Sequence, residues 1–337
     1  MSLWVDKYRP SSLEKLTYHP ETTDLLTQLA NSKDFPHLLV YGPSGAGKKT
    51  RVTATLKELF GPGVEKLKIE TRQFEATSNR KLEINIVSSN YHVEMTPSDV
   101  GIYDRIIVQE LIKEVAQTQQ LDSGAKKQFK VVVLNEADSL SREAQAGLRR
   151  TMEKYMGNMR MILCCNVTSK IIAPIRSRCL LIRVSAPSDE EIQAVLQNVA
   201  KEESFKLPSE FAQRISTECE GNLRKALLIL EASKAQQYPF TGSQVLPKTD
   251  WEQHACRDSN QAISALIKLY PPEVILKTLA FELLQNVDGE LKADIVKHAA
   301  DYEHRLRLGN KAIFHLEAFV AKCMSTYGQY LIDIGQF

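Results

Sequence analysis

The sequence predicts an α/β fold with a parallel sheet, followed by segments that are helical throughout. Three observations support this prediction. A short apolar strand at residues 37–41 leads into a glycine-rich loop and then into a helical pattern. Two more buried strands, at 130–135 and 161–166, alternate with helical patterns, as in a doubly wound domain. Beyond about residue 185 only helical spacing remains.

The bulk composition is that of an ordinary globular protein. A chain of 337 residues is longer than one core usually organises, so two or three domains are expected. The net charge of +2 neither favours nor excludes nucleic acid as a partner, so any basic surface must be local. No apolar run approaches the ~20 residues that span a bilayer, and the N-terminus lacks the pattern of a signal peptide, so no membrane partner is expected.

The cysteines and histidines do not favour a metal site. No two cysteines form a C-x-x-C pair and several lie in apolar runs, which is typical of reduced thiols in a cytosolic or nuclear compartment. The seven histidines lack the spacing of zinc ligands. The six cysteines are Cys164, Cys165, Cys179, Cys219, Cys256 and Cys323.

Before the glycine-rich loop, the chain reads as a tail and two helices. Residues 3–10 are rich in large side chains, and a tail packed on the core is as good an interpretation as any other. Helical patterns follow at 12–16 and 20–29. After the loop, a helix runs to about Phe60, where Gly61, Pro62 and Gly63 end it.

The rest of the α/β domain alternates between strands and helices. Loose alternation predicts a strand at 64–74, and the apolar residues of 81–93 predict another. A helix with apolar residues at helical spacing begins at about Tyr103, a polar loop covers 117–128, and a helix covers 141–155. The β-branched run at 130–135 predicts the centre of the sheet, and 180–184 is a last strand.

The rest of the chain predicts two helical domains. Ser188 and Glu191 form a capping box, Pro208 begins a second helix, and Asn222 after a glycine caps a third. Residues 236–250 have the composition of a linker, and the chain is helical again from Trp251 onward. We therefore expect an α/β domain at 1–185, a three-helix domain at 186–240 and a helical domain at 250–337.

The stretch HLLVYGPSGAGKKT at 37–50 has the pattern of a phosphate-binding loop. Its glycines allow the backbone N–H groups to converge on phosphate oxygens, and Lys48 adds a full positive charge at the start of a helix. The pattern requires Ser or Thr next, as a ligand of Mg²⁺, but Lys49 stands there. Thr50 comes one residue late, and a rotation of about 100° per residue should point it elsewhere.

A second departure concerns the strand at 130–135. A phosphate-binding enzyme usually ends this strand with an Asp that reaches Mg²⁺, whereas here Asn135 offers an oxygen without charge. Glu136 remains and could activate a water molecule. Two altered ligands of one ion predict weak hydrolysis. The alternative, a core strand with an acidic cap, does not explain the loop upstream.

Three further polar residues are candidates for the same site. Asn166 follows a strand at the edge where ligands bind, although alone it would more often be a turn residue. Arg178 lies on a short loop with Arg176; such arginines are usually solvated, but beside a nucleotide fold one could act on a neighbouring subunit. Arg224, at the start of the third helix of the small domain, could reach a phosphate.

Together these motifs resemble a known family. The stretches LWVDKYRP, GPSGAGKKT, NEAD, LRRTMEKY, SRC and GNLRKALL occur in this order, and YEHRLRLGNKAIFHLEAFVAK follows near the end. The set resembles the small subunits of replication factor C, the eukaryotic sliding-clamp loader, over almost the whole chain. The GKKT and NEAD variants resemble one of those small subunits in particular.

The resemblance implies an AAA+ P-loop core, a three-helix lid and an all-α collar through which five subunits assemble in the nucleus. It implies ATP or ADP as the cofactor, with Mg²⁺ weak or absent here, and PCNA and primer–template DNA as partners. Asn166 and Arg224 would be sensors, and Arg178 would be an arginine finger acting on a neighbour. The residues that it places at the base and ribose are Val5, Tyr8, Arg9 and Thr17. Those that it places at the phosphates are Gly42, Pro43, Ser44, Gly45, Ala46, Gly47, Lys48, Lys49 and Thr50.

Three interpretations of the function remain open. The first is a subunit that binds nucleotide, hydrolyses little of it and stands at the end of the ring. The second is an independent ATPase with Glu136 as base and Thr50 holding Mg²⁺. The third is a scaffold whose phosphate-binding loop is empty or holds a structural nucleotide.

Contacts with DNA are expected to position it without reading its sequence. DNA would be held through its backbone phosphates by helix N-termini and by basic residues. Candidates for these, or simply for solvated charges, are Arg80, Lys81, Arg105 and Arg149. The helix from Tyr103 either faces the clamp or places its apolar stripe in the core. The segment 256–270 is shorter than the family's collar has at that point.

Overall fold

The computed structural model describes residues 2–32, 34–75, 81–98, 103–117, 129–155, 157–240, 244–247, 272–287, 289–309 and 311–333. They form two compact units, Met1–Leu246 and Pro247–Phe337. Some features named above lie outside the described residues: Arg80, residues 118–128 of the predicted polar loop, Trp251, and the segment 256–270 with Cys256. No helix in the described ranges is long and apolar enough to cross a membrane.

The first unit contains a seven-stranded sheet in the order β2-β3-β4-β5-β6-β1-β7. Strands β4, β5, β6, β1 and β7 run parallel, with β5 in the middle of the sheet as predicted. The strands are β1 (Leu38–Tyr41), β2 (Lys68–Glu75), β3 (Lys81–Ser88), β4 (His92–Met95), β5 (Lys130–Leu134), β6 (Met159–Cys165) and β7 (Leu180–Arg183).

One part of the sheet differs from the expectation. The region 81–93, predicted as one strand, contains both β3 and β4, which pair antiparallel through Val87 and Ser88. A turn at 89–91 separates the two strands, and the Ser89 hydroxyl accepts hydrogen bonds from the backbone N–H of Tyr91 and His92 at 3.2 and 3.1 Å. This polar turn reverses the chain within a region whose apolar content suggested a single strand. β2 then pairs antiparallel with β3 at the edge.

Helices cover both faces of the sheet, as a doubly wound fold requires. The side chains of β5 alternate: Val131 and Val133 pack toward α2 and α3, whereas Val132 and Leu134 pack toward α4 and α5. The helices of this unit before the lid are α1 (Trp4–Lys7), α2 (Pro20–Asn31), α3 (Lys48–Phe60), α4 (Asp104–Gln117), α5 (Arg142–Lys154) and α6 (Ala173–Arg176).

The apolar stripe of α4 belongs to the core. Ile107, Val108, Leu111 and Ile112 are each at most 1 % exposed and lie in the cluster between the sheet and α5. Of the two interpretations of this stripe, core packing is therefore confirmed, and only the opposite face of α4 remains available to a partner.

Three helices follow the sheet and form a separate small core: α7 (Asp189–Glu202), α8 (Ser209–Glu218) and α9 (Leu223–Gln236). The capping box of Ser188 and Glu191 is present, and the Asn222 side chain caps α9. Helix α1 packs here, since Trp4 is 8 % exposed and stacks on Phe205 with ring centroids 5.6 Å apart. The N-terminal tail is therefore ordered on these three helices rather than on the sheet.

Only part of the segment 236–250 behaves as the predicted linker. Phe240 stacks on Phe211 with ring centroids 5.2 Å apart, and Leu246 packs against the same small core. Packing of the Phe240 ring holds this segment on the small core, although its polar, proline-containing composition suggested a linker.

The second unit contains three long helices: α10 (Pro272–Asn286), α11 (Gly289–Leu308) and α12 (Ala312–Asp333). Its core includes Ile275, Ile295, Leu316 and Phe319. Among the described residues, five cysteines are free and buried: Cys164, Cys165, Cys179, Cys219 and Cys323.

Candidate functional site

A cavity of about 790 Å³ lies in the first unit, between the N-terminal segment, the glycine-rich loop, the ends of β5 and β6, and helices α7 and α9. It brings together most of the predicted site residues, although they are far apart in sequence. Those that line it are Val5, Tyr8, Arg9, Thr17, Ser44, Gly45, Gly47, Lys48, Lys49, Thr50, Asn135, Glu136, Asn166 and Arg224. Three other loop residues, Gly42, Pro43 and Ala46, are not among the residues that line this cavity.

The loop is closed by Tyr18. The Tyr18 hydroxyl donates to the Ala46 carbonyl at 3.2 Å, and a Cβ on Gly47 would lie 2.1 Å from that hydroxyl oxygen. Gly47 also has a φ of 89°, in the left-handed region that favours glycine. Arg51 holds Tyr18 in place, since its guanidinium donates to the Tyr18 carbonyl at 2.6 Å. The loop therefore needs glycine at position 47 both for its backbone and for this close approach.

The small helical core reaches the loop through Asn222. A Cβ on Gly45 would lie 1.8 Å from the side-chain oxygen of Asn222, which accepts a hydrogen bond from the Lys225 N–H at 3.1 Å. The first turn of α9 therefore lies against the loop. This contact explains why Arg224, which follows Asn222 by two residues, lines the cavity.

Lys48 lies at the centre of the loop. Its ammonium donates to the carbonyls of Gly42 and Pro43 at 2.7 and 2.8 Å and to the side-chain oxygen of Asn166 at 2.8 Å. Burial lowers the pKa of Lys48, while Cys164, Cys165 and Asp138 act in the opposite direction and Arg224 lowers it further. The cation is thus held where the loop N–H groups and the start of α3 converge, which suits the phosphates of a nucleotide.

The backbone of Asn166 is held in place by Asp138. The Asp138 carboxylate accepts hydrogen bonds from the backbone N–H groups of Asn166 and Val167 at 3.2 and 3.3 Å. Glu136 has a φ of 51° and an exposed side chain that accepts a hydrogen bond from the Ser98 hydroxyl at 3.2 Å. A carboxylate and an amide thus lie at adjacent strand ends, at the edge of the sheet where ligands of parallel α/β folds bind.

The two unusual residues, Lys49 and Asn135, meet at one carboxylate. The Lys49 ammonium forms an ion pair with the Glu94 carboxylate, and the Asn135 amide donates to the same oxygen at 2.7 Å. Neither residue offers Mg²⁺ a negatively charged oxygen, and the ammonium has no acceptor at all. The loop therefore fits the phosphates of a nucleotide, whereas these two residues do not fit the metal. Thr50 lines the cavity as well, next to Lys48 and Lys49.

The N-terminal wall of the cavity is tied to the small helical core by Glu203. Its carboxylate accepts from Lys7 and from the Tyr8 hydroxyl at 2.6 Å each, and from Lys234 at 3.3 Å. Hydrogen bonds from Lys7 and Tyr8 lower the pKa of Glu203 to about 2, and the bond to Glu203 raises the pKa of Tyr8. Arg9 bonds Asp6 at 2.7 Å. Val5, Tyr8 and Arg9 are therefore carried by a fixed segment.

Arg178 lies apart from the cavity that the described residues form. It is exposed, donates to the Pro174 carbonyl at 2.7 Å and pairs with Glu153 of α5. Of the basic residues considered for DNA, Arg105 and Arg149 are exposed, and Arg149 pairs with Glu153 at 3.5 Å. Within the described ranges, no group of three or more His, Cys, Asp or Glu side chains is arranged to hold a metal.

Several residues of the site are missing from the sequence-based prediction. Glu94, Tyr18, Asn222 and Glu203 act through contacts between distant segments, which no local spacing reveals. The sequence indicates Glu94 only as a carboxylate at the end of an apolar run. This carboxylate belongs to the site because β4 lies beside β5.

Sequence comparisons identify the same regions. Residues 18–188 match the family described as DNA polymerase III, delta subunit, and residues 194–235 match the RCF1/5-like AAA+ ATPase lid domain. Residues 256–331 match the C-terminal domain of Replication factor C subunit 3. The fold is thus an AAA+ core with a helical lid and a helical C-terminal domain.

Close relatives span the full chain. Replication factor C subunit 3 of Homo sapiens is 53% identical, covering 99% of this chain and 98% of the relative. Subunit 5 of Neurospora crassa is 57% identical, covering 99% of each. Subunit 3 of Arabidopsis thaliana is 50% identical, covering 98% of this chain and 99% of the relative.

These relatives also bear on the GKKT and NEAD variants. The similarity that the variants indicated, to a subunit numbered 5 in fungi and 3 in animals, is confirmed by the fungal and human relatives. The human alignment extends over 349 positions, so this chain of 337 residues lacks at least 12 of them. The chain therefore belongs to the replication factor C family of small subunits, within the group numbered 3 in animals and 5 in fungi.

Proposed function

We propose that this chain is the ATP- or ADP-binding subunit of a heteropentameric clamp loader, which opens the sliding clamp PCNA and loads it onto primer–template DNA in replication and repair. The observation that carries the proposal is the convergence of Lys48, Asn166 and Arg224 on one cavity beside the glycine-rich loop. Three cationic or amide side chains around a converging set of backbone N–H groups suit a nucleotide phosphate. Relatives named as replication factor C subunits support the assignment to that complex, and PCNA and primer–template DNA follow from the family resemblance.

In this proposal the base and ribose lie against the N-terminal wall, at Val5, Tyr8, Arg9 and Thr17. The phosphates lie along Gly42 to Thr50, with Asn166 and Arg224 as sensors. The chain hydrolyses little ATP itself, since Lys49 and Asn135 do not offer Mg²⁺ its usual ligands. Glu136 retains the position of a catalytic base.

Arg178 would serve the neighbouring subunit. It is an exposed arginine outside its own chain's cavity, held by Glu153 and Pro174. A guanidinium in that position can stabilise charge on a phosphate bound next door. In this proposal the chain stands at the end of the ring, with four other subunits as partners.

The remaining assignments follow from the same family. We propose a nuclear location and a division into an AAA+ domain at 1–185, a lid at 186–240 and a collar at 250–337. DNA contacts would run through backbone phosphates, with the exposed Arg105 and Arg149 as candidates.

Turnover measurements test the two catalytic parts of this proposal. The purified chain should show negligible ATP turnover. In the assembled complex, Arg178→Ala should silence the neighbouring site, because an arginine finger contributes about 10³–10⁵ in rate there. Arg72→Ala is a matched control, since Arg72 also pairs with an exposed glutamate, at 2.6 Å, and its side chain is 36% exposed against 34% for Arg178.

Each alternative has its own outcome. Turnover of the Arg178→Ala complex at the wild-type rate would rule out the finger. Substantial Mg²⁺-dependent turnover by the isolated chain would favour an independent ATPase with Glu136 as base. Mass spectrometry of nucleotide released on denaturation would identify a scaffold, if it found only ADP that does not exchange with added ATP.

A further inference from the structure

The contact of Lys49, Asn135 and Glu94 is built across three elements that meet at the phosphate loop. Glu94 is in β4, directly beside β5 in the parallel sheet, and the Asn135 backbone N–H donates to the Met95 carbonyl at 2.9 Å. The Asn135 amide and the Lys49 ammonium then share one oxygen of Glu94. The Glu94 side chain is 13% exposed, so the carboxylate is largely enclosed.

The chemistry of this group is opposite to that of a metal site. Mg²⁺ prefers hydroxyl and carboxylate oxygens in an octahedral shell. Here Lys49 carries an ammonium, which only donates hydrogen bonds. Asn135 carries an amide whose NH₂ already faces Glu94. A divalent ion placed among these groups would be repelled by Lys49 and would compete with it for Glu94.

Lys49 is suited to bind an anion instead of a cation. Its side chain is 49% exposed and lines the cavity together with Lys48 and Arg224. The ammonium has three N–H donors in all. The contact with Glu94 therefore leaves it able to donate toward a phosphate while remaining fixed in place.

We propose that Lys49 takes the place of Mg²⁺ at this site, so that the chain binds the phosphates of its nucleotide without a divalent cation. The cation is part of the chain, is anchored by Glu94, and touches the phosphates from the first turn of α3. This inference rests on the nucleotide-binding function proposed above and deepens it. It predicts a binding site that chelators do not empty.

Calorimetric titration of ADP into the full chain tests the proposal, once with excess Mg²⁺ and once with EDTA. The two Kd values should agree within about threefold. Lys49→Met should weaken ADP binding by at least about tenfold in both buffers, because it removes the cation without supplying a metal ligand. Lys154→Met is the control: Lys154 is exposed at the end of α5 and does not line the cavity, so its loss should leave the Kd unchanged.

A double variant provides the reverse test. Lys49→Thr with Asn135→Asp supplies a hydroxyl and a carboxylate, and its ADP affinity should fall at least about tenfold when Mg²⁺ is removed. Electron paramagnetic resonance with Mn²⁺ as probe adds a readout that does not depend on affinity. The double variant with ADP should bind Mn²⁺, whereas the wild-type chain with ADP should not.

The outcomes distinguish failure of this inference from failure of the proposed nucleotide-binding function. Loss of ADP from the wild-type chain in EDTA, or unchanged affinity in Lys49→Met, would overturn the inference alone. Absence of ADP binding in both buffers would overturn the nucleotide-binding function itself. Since Lys49 is half exposed, its substitutions should leave the far-ultraviolet circular dichroism spectrum unchanged.

Discussion

Gly47 joins the phosphate loop to α3 with a φ of 89°, and its α-carbon lies beneath the hydroxyl of Tyr18. A side chain at this residue would meet two separate costs. One is the left-handed backbone, which is strained for any residue with a Cβ. The other is the Tyr18 hydroxyl, 2.1 Å from where the Cβ would be. The Tyr18 hydroxyl also donates to the Ala46 carbonyl at 3.2 Å, so it cannot retreat without losing that bond.

Gly47→Ala should therefore lower both stability and nucleotide affinity. The backbone strain costs about 1–3 kcal/mol, and the displaced loop should weaken ADP binding by at least about tenfold. Gly61→Ala separates the two causes, because Gly61 has a φ of 82° but no atom within 4 Å of the added Cβ. It should also cost stability, measured by urea unfolding, and leave the ADP Kd unchanged. Wild-type affinity in Gly47→Ala would show that the loop does not depend on this contact.

Among the elements, the join between α5 and the segment before α6 depends on one buried amide. Gln145, 1% exposed, donates to the carbonyls of Leu140 and Lys170 at 3.1 and 3.2 Å. Its side-chain oxygen accepts from the Ile172 N–H at 2.9 Å. One side chain thus satisfies three backbone groups from two separate segments, and α6 leads directly to Arg178.

Gln145→Leu should lower the free energy of unfolding by about 2–4 kcal/mol, because it leaves those backbone groups buried without partners. The shape of the side chain is nearly kept, so the loss measures the hydrogen bonds rather than a cavity. Gln197→Leu, at an exposed position of α7, should change stability by less than about 0.5 kcal/mol. Equal urea midpoints for Gln145→Leu and wild type would contradict this role of the amide.

The helices and strands also differ in how well the sequence predicts them. β5 was found because an unbroken β-branched run has few alternatives to a central parallel strand. The capping residues Ser188 and Asn222 were found because capping is local chemistry. The division of 81–93 into β3 and β4 was missed because a single serine turn decides it. Glu94 was missed because its role exists only once β4 lies beside β5 and Lys49 is brought to the same edge.

At the scale of the whole molecule, each unit has its own hydrophobic core. Among the described residues, the core of the second unit is formed mainly by α10, α11 and α12, with Leu316 and Phe319 fully buried. The cores of the first unit draw on residues up to Leu246. All described residues that line the cavity also belong to the first unit.

ADP should therefore stabilise one part of the chain selectively. In scanning calorimetry of the full chain we expect two transitions. ADP at about 100 times its Kd adds about 2.7 kcal/mol to the unit that binds it, which should raise that Tm by roughly 5–10 °C. The Tm of the other transition should stay where it is, since none of the described cavity-lining residues belongs to that unit.

Two variants identify which transition belongs to which unit. Lys48→Ala should abolish the shift caused by ADP, because it removes the central cation of the loop, while leaving both transitions in place without ADP. Leu316→Ala, in the core of the second unit, should lower only the transition that ADP does not move, by about 2–5 kcal/mol in the stability of that unit. A single transition that ADP and Leu316→Ala both displace would contradict independent unfolding and show instead that nucleotide binding is coupled to the C-terminal helices.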